Sequence, residues 1–180
     1  SQPFTSALVM SNPKKFKYAW VWDKKFPANY PLAKKQPMKI HEDILVFGGK
    51  YTPIMTKRQK PVTKGTNKGA DVFNKGLDRK DYDGKIYTHK YPKSILNFAT
   101  RQEKSYAPTQ KPVALFDYLI RTYTEEGDLV LDNCAGSGTT AVACMESKRD
   151  FILIDKEKKW VDVSLKRISE TKRIISERLF

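Results

Sequence analysis

The 180-residue sequence has two cysteines, two histidines, no Pro-Pro pair and no internal repeat. Cys134 and Cys144 have neither metal-ligand spacing nor the density of a disulfide framework, which excludes a stapled secreted scaffold and points to a reducing, cytoplasmic setting. His41 and His89 stand far apart without ligand spacing, so the residues offer no metal site. No apolar run approaches the ~20 residues of a bilayer-spanning helix, and the first residues lack the charged and apolar regions of a signal peptide. The first residue is Ser1 and the first methionine Met10, as expected of a processed, trimmed or incompletely recorded chain.

Against these absences stand nine Phe, nine Tyr, three Trp and a hydrophobic fraction of 39%, enough for a buried core. The net charge of +14 is unevenly placed. Residues 1–104 hold 22 Lys and Arg against 8 Asp and Glu, whereas residues 105–180 hold 12 of each. Eight of the ten prolines also lie in the first part. A basic region beside a neutral one suits a polyanion, and nucleic acid is the expected partner; the plain alternative is a solvated basic surface.

Three regions follow from the patterning: 1–49, 50–104 and 105–180. In the first, Phe4–Met10 reads as a short helix closed by Asn12-Pro13, with Phe16–Trp22 and Ile44–Phe47 as strands. Residues 50–104 are polar, Lys-rich and glycine-punctuated, and read as a loop-rich module. Beyond them, Pro112 opens a helix with Val113, Phe116, Leu119, Ile120 and Tyr123 on one face. Leu129–Asp132 reads as a strand, Thr139–Ser147 as a helix and Phe151–Asp155 as a second strand. Trp160–Leu179 reads as a helix with Val161, Leu165, Ile168, Ile175 and Leu179 at helical spacing. Strand, helix, strand, helix predicts an α/β fold with a parallel sheet.

The stretch "LVLDNCAGSGTTAVA", Leu129–Ala143, brings an acid, a glycine turn and a helix start together. A P-loop would need lysine after its last glycine, and Thr139 follows Gly138 here. The pattern Gly136-x-Gly138-x-x-Ala141 does match a dinucleotide fingerprint, with Asp155 placed 23 positions after Asp132 to hold a ribose. Asp132 at the strand tip opposes a pyrophosphate, which wants N–H groups and positive charge. S-adenosylmethionine has no phosphate; it carries an ammonium, a sulfonium and ribose hydroxyls, and suits two acids and a close glycine turn better. A tight turn with Asp132 as a helix cap explains the same residues without any ligand.

The segment "APTQKPVALFDYLIRTYTEEGDLVLDNCAGSGTTAVACMESKRDFILID" resembles the cofactor half of the DNA amino-methyltransferases in their permuted class, where the glycine loop lies near the C-terminus. "SQPFTSALVMSN", "YAWVWDK" and "HEDILVF" also resemble this family's segments ahead of its target-recognition region. The resemblance implies a Rossmann-like S-adenosylmethionine-dependent sheet, incomplete at its N-terminal side, with residues 50–104 as a basic insertion that recognises double-stranded DNA. It implies a glycine-loop wall of Asp132, Gly136, Gly138 and Thr139. It also implies that Asp155 accepts the ribose hydroxyls, and that Thr109 and Lys111 meet the methionine carboxylate. Two departures stand out: Ala107 occupies the usual histidine before Pro108, and Asn133-Cys134 replaces the usual Pro-Phe after Asp132, which removes an aromatic packing surface. Cys134 is not read as a nucleophile, since it lies where the family packs a side chain, and His41-Glu42 is given no catalytic role.

Such enzymes hold the flipped base by its amino hydrogens and stack it on an aromatic ring. The family uses Asp/Asn/Ser-Pro-Pro-Tyr/Phe/Trp for this, and the tetrapeptide is missing, so no catalytic residue is assigned. The family's order places it ahead of Ser1. The chain is then expected to be a fragment, a decayed remnant or one subunit of a split enzyme, with exposed apolar faces and a tendency to self-associate or to need a partner chain. Residues 50–104 hold 14 Lys and Arg against 5 Asp and Glu, interleaved with Tyr51, Phe73, Tyr82, Tyr87, Tyr91 and Phe98. Arg58, Arg79 and Arg101 are candidate guanine readers or phosphate contacts. The expected activity is methylation of an exocyclic amino group, that of adenine by resemblance, in a restriction–modification system or a bacteriophage. A DNA-binding remnant without catalysis and a nicotinamide oxidoreductase are the competing readings.

Overall fold

A computed structural model describes residues 2–63, 86–100 and 105–178. The candidate residues Phe73, Arg79, Tyr82 and Arg101, and Leu179, the expected last residue of the final helix, lie outside these. Two compact units are present: Ser1–Thr52 with Lys93–Phe180, and Pro53–Pro92.

The first unit opens with α1 (Phe4–Ser11), which has no buried residue. Strands β1 (Phe16–Ala28) and β2 (Lys39–Phe47) pair antiparallel, with Trp20 opposite Ile44 and Asp23 opposite His41. Both outrun the apolar stretches that announce them, because ladder hydrogen bonds carry the polar ends as well. In the second unit, β3 (Thr56–Thr63) and β4 (Ile86–Lys90) form an antiparallel ribbon. A short strand of the first unit, β5 (Ile95–Asn97), then joins β1 in parallel, with Leu96 opposite Trp22. Residues 50–104, expected to be loop-rich, therefore contain three strands among the described residues. Their lysines and threonines give no period-2 apolar signal, since β4 is exposed along its whole length.

The remainder follows the βαβα expectation. Helix α2 (Val113–Tyr123) leads to β6 (Leu129–Asp132), α3 (Thr139–Ser147), β7 (Asp150–Leu153) and α4 (Lys158–Glu177). Strands β6 and β7 run parallel, Leu131 opposite Ile152. Two clusters meet on α2. Trp20, Trp22, Val46, Leu96 and Leu115 pack as one, and Ile120, Ala143 and Cys144 as the other, with Phe116 against both. Burying α2 on two sides explains why Leu115 belongs to the core although it lies off the predicted face. Helix α4 departs further from expectation: its buried residues are Ser164, Arg167 and Thr171, while Val161 and Leu165 are exposed. No helix among the described residues is long and apolar enough to cross a membrane.

Candidate functional site

The turn between β6 and α3 needs its glycines. Gly136 and Gly138 both adopt positive φ, +52° and +73°. A Cβ on Gly138 would lie 3.0 Å from both Cβ and Oγ of Ser164 on α4. This backbone can therefore neither take an L side chain without strain nor admit one beside α4. Ser164 reinforces the contact by donating to the Gly136 carbonyl at 2.8 Å.

Two acids at the strand ends hold the turn. Asp132 accepts the Cys134 N–H at 3.0 Å through Oδ1 and the Thr140 hydroxyl through Oδ2. Asp155, just past β7, accepts the Gly136 N–H at 2.9 Å and the Glu157 N–H at 3.0 Å. The N–H of Glu157 first, and then that of Gly136, hold its carboxyl below the usual aspartate range. Both acids keep unused lone pairs, so each can still accept from a ligand.

The segment before α2 forms the facing wall. The Ser137 hydroxyl donates to Gln110 Oε1 at 3.2 Å, and the Thr139 hydroxyl to the Lys111 carbonyl at 3.3 Å. Behind the turn lies Arg167, 5% exposed. Its Nη1 donates to the Ser137 carbonyl at 3.1 Å and to Thr139 Oγ1 at 3.0 Å. Its guanidinium lies 5.0 Å from the Tyr106 ring centre, and the Tyr106 hydroxyl in turn donates to Glu170. Burial pulls the Arg167 pKa down, opposed by Tyr106, Glu146 and Glu170.

Between the walls is a cleft of about 490 Å³, within the size range of small-molecule sites. Of the seven candidate residues, Thr109, Lys111, Asp132, Gly136, Thr139 and Asp155 line it. Gly138 does not; it faces Ser164 instead. Phe116, expected on the apolar face of its helix, and Trp160, expected at a helix start, supply apolar lining that the sequence did not assign to the site. Cys134, expected at a packing position, is exposed and lines the cleft. Glu42, given no catalytic role and expected as a structural residue near the cleft, accepts from two side chains rather than from backbone: Lys111 Nζ at 3.2 Å and Lys24 Nζ at 3.2 Å.

A family model for N6/N4 methyltransferases, described as DNA methylase, matches residues 4–166. The chain belongs to this family of DNA methylases. It is 35% identical over 109 residues to the type II methyltransferase M2.DpnII of Streptococcus pneumoniae, a match covering 58% of the chain and 39% of that protein. M.HpaI of Haemophilus parainfluenzae is 31% identical over 139 residues, covering 71% and 38%. The chain thus spans about two fifths of the length of these relatives. Among solved structures, the complex of M1.HpyAVI with SAM gives a TM-score of 0.61 at 25% identity, covering 93% of this chain and 71% of that one. PvuII DNA methyltransferase, cytosine-N4-specific, shares the fold at a TM-score of 0.60 and 15% identity, covering 93% and 60%. The architecture is accordingly that of a Rossmann-like methyltransferase.

Proposed function

We propose that this methylase is the cofactor-binding and DNA-recognising part of an enzyme that methylates the exocyclic amino group of adenine in double-stranded DNA. One observation carries the reading: both acids, the glycine turn and Lys111 converge on a single cleft from two sides of β6. The residues fit S-adenosylmethionine: Asp155 for the ribose hydroxyls, Lys111 and Thr109 for the carboxylate end, and Phe116 and Trp160 for the flat base. Bound there, the ligand supplies an electrophilic methyl group. Asp132, by its negative charge and its hold on Thr140, fixes the turn and favours a cationic ligand. M1.HpyAVI was solved with SAM, and the type II relatives support a restriction–modification setting.

With no Pro-Pro in the 180 residues, the loop that grips the base comes from outside them, in the same protein or in a partner chain, and these residues alone do not turn over. The same feature favours a second reading, a DNA-binding remnant with an idle cleft. Equilibrium dialysis with labelled S-adenosylmethionine separates the two, run beside duplex-DNA binding at low and high salt. The proposed enzyme retains the ligand, and Asp155→Ala weakens retention by about tenfold, the size expected for losing charge-assisted hydrogen bonds. DNA binding without ligand retention favours the remnant, and retention of a nicotinamide dinucleotide instead sinks the methyl-donor reading. Mass spectrometry of DNA treated with the full gene product then distinguishes N6-methyladenine from N4-methylcytosine.

A further inference from the structure

Lys111 sits at the boundary of two openings. It lines the cleft of the glycine turn and also a neighbouring one bounded by Trp22, Lys24 and Glu42. Its ammonium is 3.2 Å from Glu42 Oε2 and 5.5 Å from the centre of the Trp22 ring. The other Glu42 oxygen is 3.2 Å from the ammonium of Lys24, whose side chain is largely buried. Lys24 and Lys111 thus share one carboxylate where the openings meet. Burial would raise the Glu42 carboxyl, yet Lys111 and then Lys24 hold it below its usual value, so the carboxylate stays ionised.

A lysine side chain has four rotatable carbons and gains little from being a charge alone; its value as a ligand contact depends on where it is held. From this geometry we infer that Glu42 is a positioning residue, fixing Lys111 so that the lysine meets the carboxylate end of the methyl donor. The inference rests on the proposed binding of S-adenosylmethionine in the glycine-turn cleft. Glu42 reaches Lys111 from β2, some seventy residues away in sequence. The adjacent Asp43 instead accepts from the Thr5 hydroxyl at 3.3 Å.

The test compares the affinities of the 180-residue chain for S-adenosylmethionine and for 5′-methylthioadenosine, which lacks the amino-acid end, by calorimetry. Glu42→Gln should weaken S-adenosylmethionine binding about threefold to tenfold, in the range of one ion pair to a charged hydrogen bond, and leave methylthioadenosine unchanged. Lys111→Met should reproduce that pattern, while Asp43→Asn, an equal change of charge, should change neither affinity. Glu42→Asp keeps a counter-charge for Lys24 while shortening the reach to Lys111, and should show the same selective loss if Glu42→Gln does not fold. Equal loss for both ligands, no loss, or tighter binding of S-adenosylmethionine overturns the inference; the last would make Glu42 a competitor of the ligand's carboxylate. Wild-type chain that binds neither compound overturns the proposed function itself, and the inference with it.

Discussion

The two cysteines occupy opposite environments only ten residues apart. Cys144 is buried in α3 between Ile120 and Ala143, and burial pushes its thiol up to about 11, so it is neither accessible nor ionised near neutral pH. Cys134 is exposed at the mouth of the glycine-turn cleft, its N–H tied to Asp132. Its exchange for the family's aromatic leaves a chemical handle on the cleft. Iodoacetamide should therefore modify one thiol per folded chain, and peptide mapping should locate it at Cys134. Saturating S-adenosylmethionine should slow the modification several-fold, since bound ligand blocks access in proportion to occupancy. Equal rates with and without ligand would count against the cleft as the binding site, and labelling of Cys144 would contradict the packing of α3.

Among the elements, the turn from β6 into α3 carries the greatest constraint. Gly138→Ala places a Cβ at positive φ and 3.0 Å from Ser164, and neither the helix nor the turn can yield without breaking the Ser164 bond to Gly136. The expected cost is about 1–3 kcal/mol, that of left-handed strain at a non-glycine residue, read as a lowered midpoint in urea. Ser164→Gly should recover part of the loss in the double variant by removing the steric part; purely additive effects would show that the two do not touch. This turn was the most legible part of the sequence, because an acid, two glycines and two threonines in nine positions leave few alternatives. Arg167 was not legible. A pattern of Val161, Leu165 and Ile168 draws attention to the apolar side of α4, while Ser164, Arg167 and Thr171 form the buried stripe at spacings of three and four. Polar residues on a helix ordinarily signal solvent, and only the orphan oxygens of the turn reveal why a guanidinium belongs there. Glu42 was hidden for a related reason: sequence patterns describe neighbours along the chain, and its partner Lys111 is brought close only by packing.

For the whole molecule, the division of charge and the division of apolar surface point in different directions. The basic excess lies in residues 1–104, where it suits a polyanion, and the neutral last part leaves apolar surface open. On the β6–β7 sheet, one face packs Val130 and Phe151 towards α3. On the opposite face Leu129, Leu131, Ile152 and Ile154 are 60%, 62%, 48% and 52% exposed. Leu129, Leu131 and Ile152 on the adjacent parallel strands, with Ile154 just past β7, make an apolar surface, and covering the exposed half of each would yield about 0.8–1.5 kcal/mol. Taken alone, the 180 residues should therefore associate through this face as concentration rises, and sedimentation velocity should show a mass above that of the monomer in the micromolar range. Leu131→Lys places a charge at the centre of the face and should return the chain to monomer, while its midpoint in urea shifts little because the residue is already exposed. An unmodified chain that stays monomeric at high concentration would mean that these strands need no cover. Association that survives Leu131→Lys would move the contact elsewhere, with the outer edges of β6 and β7, unpaired among the described residues, as the next surface to block.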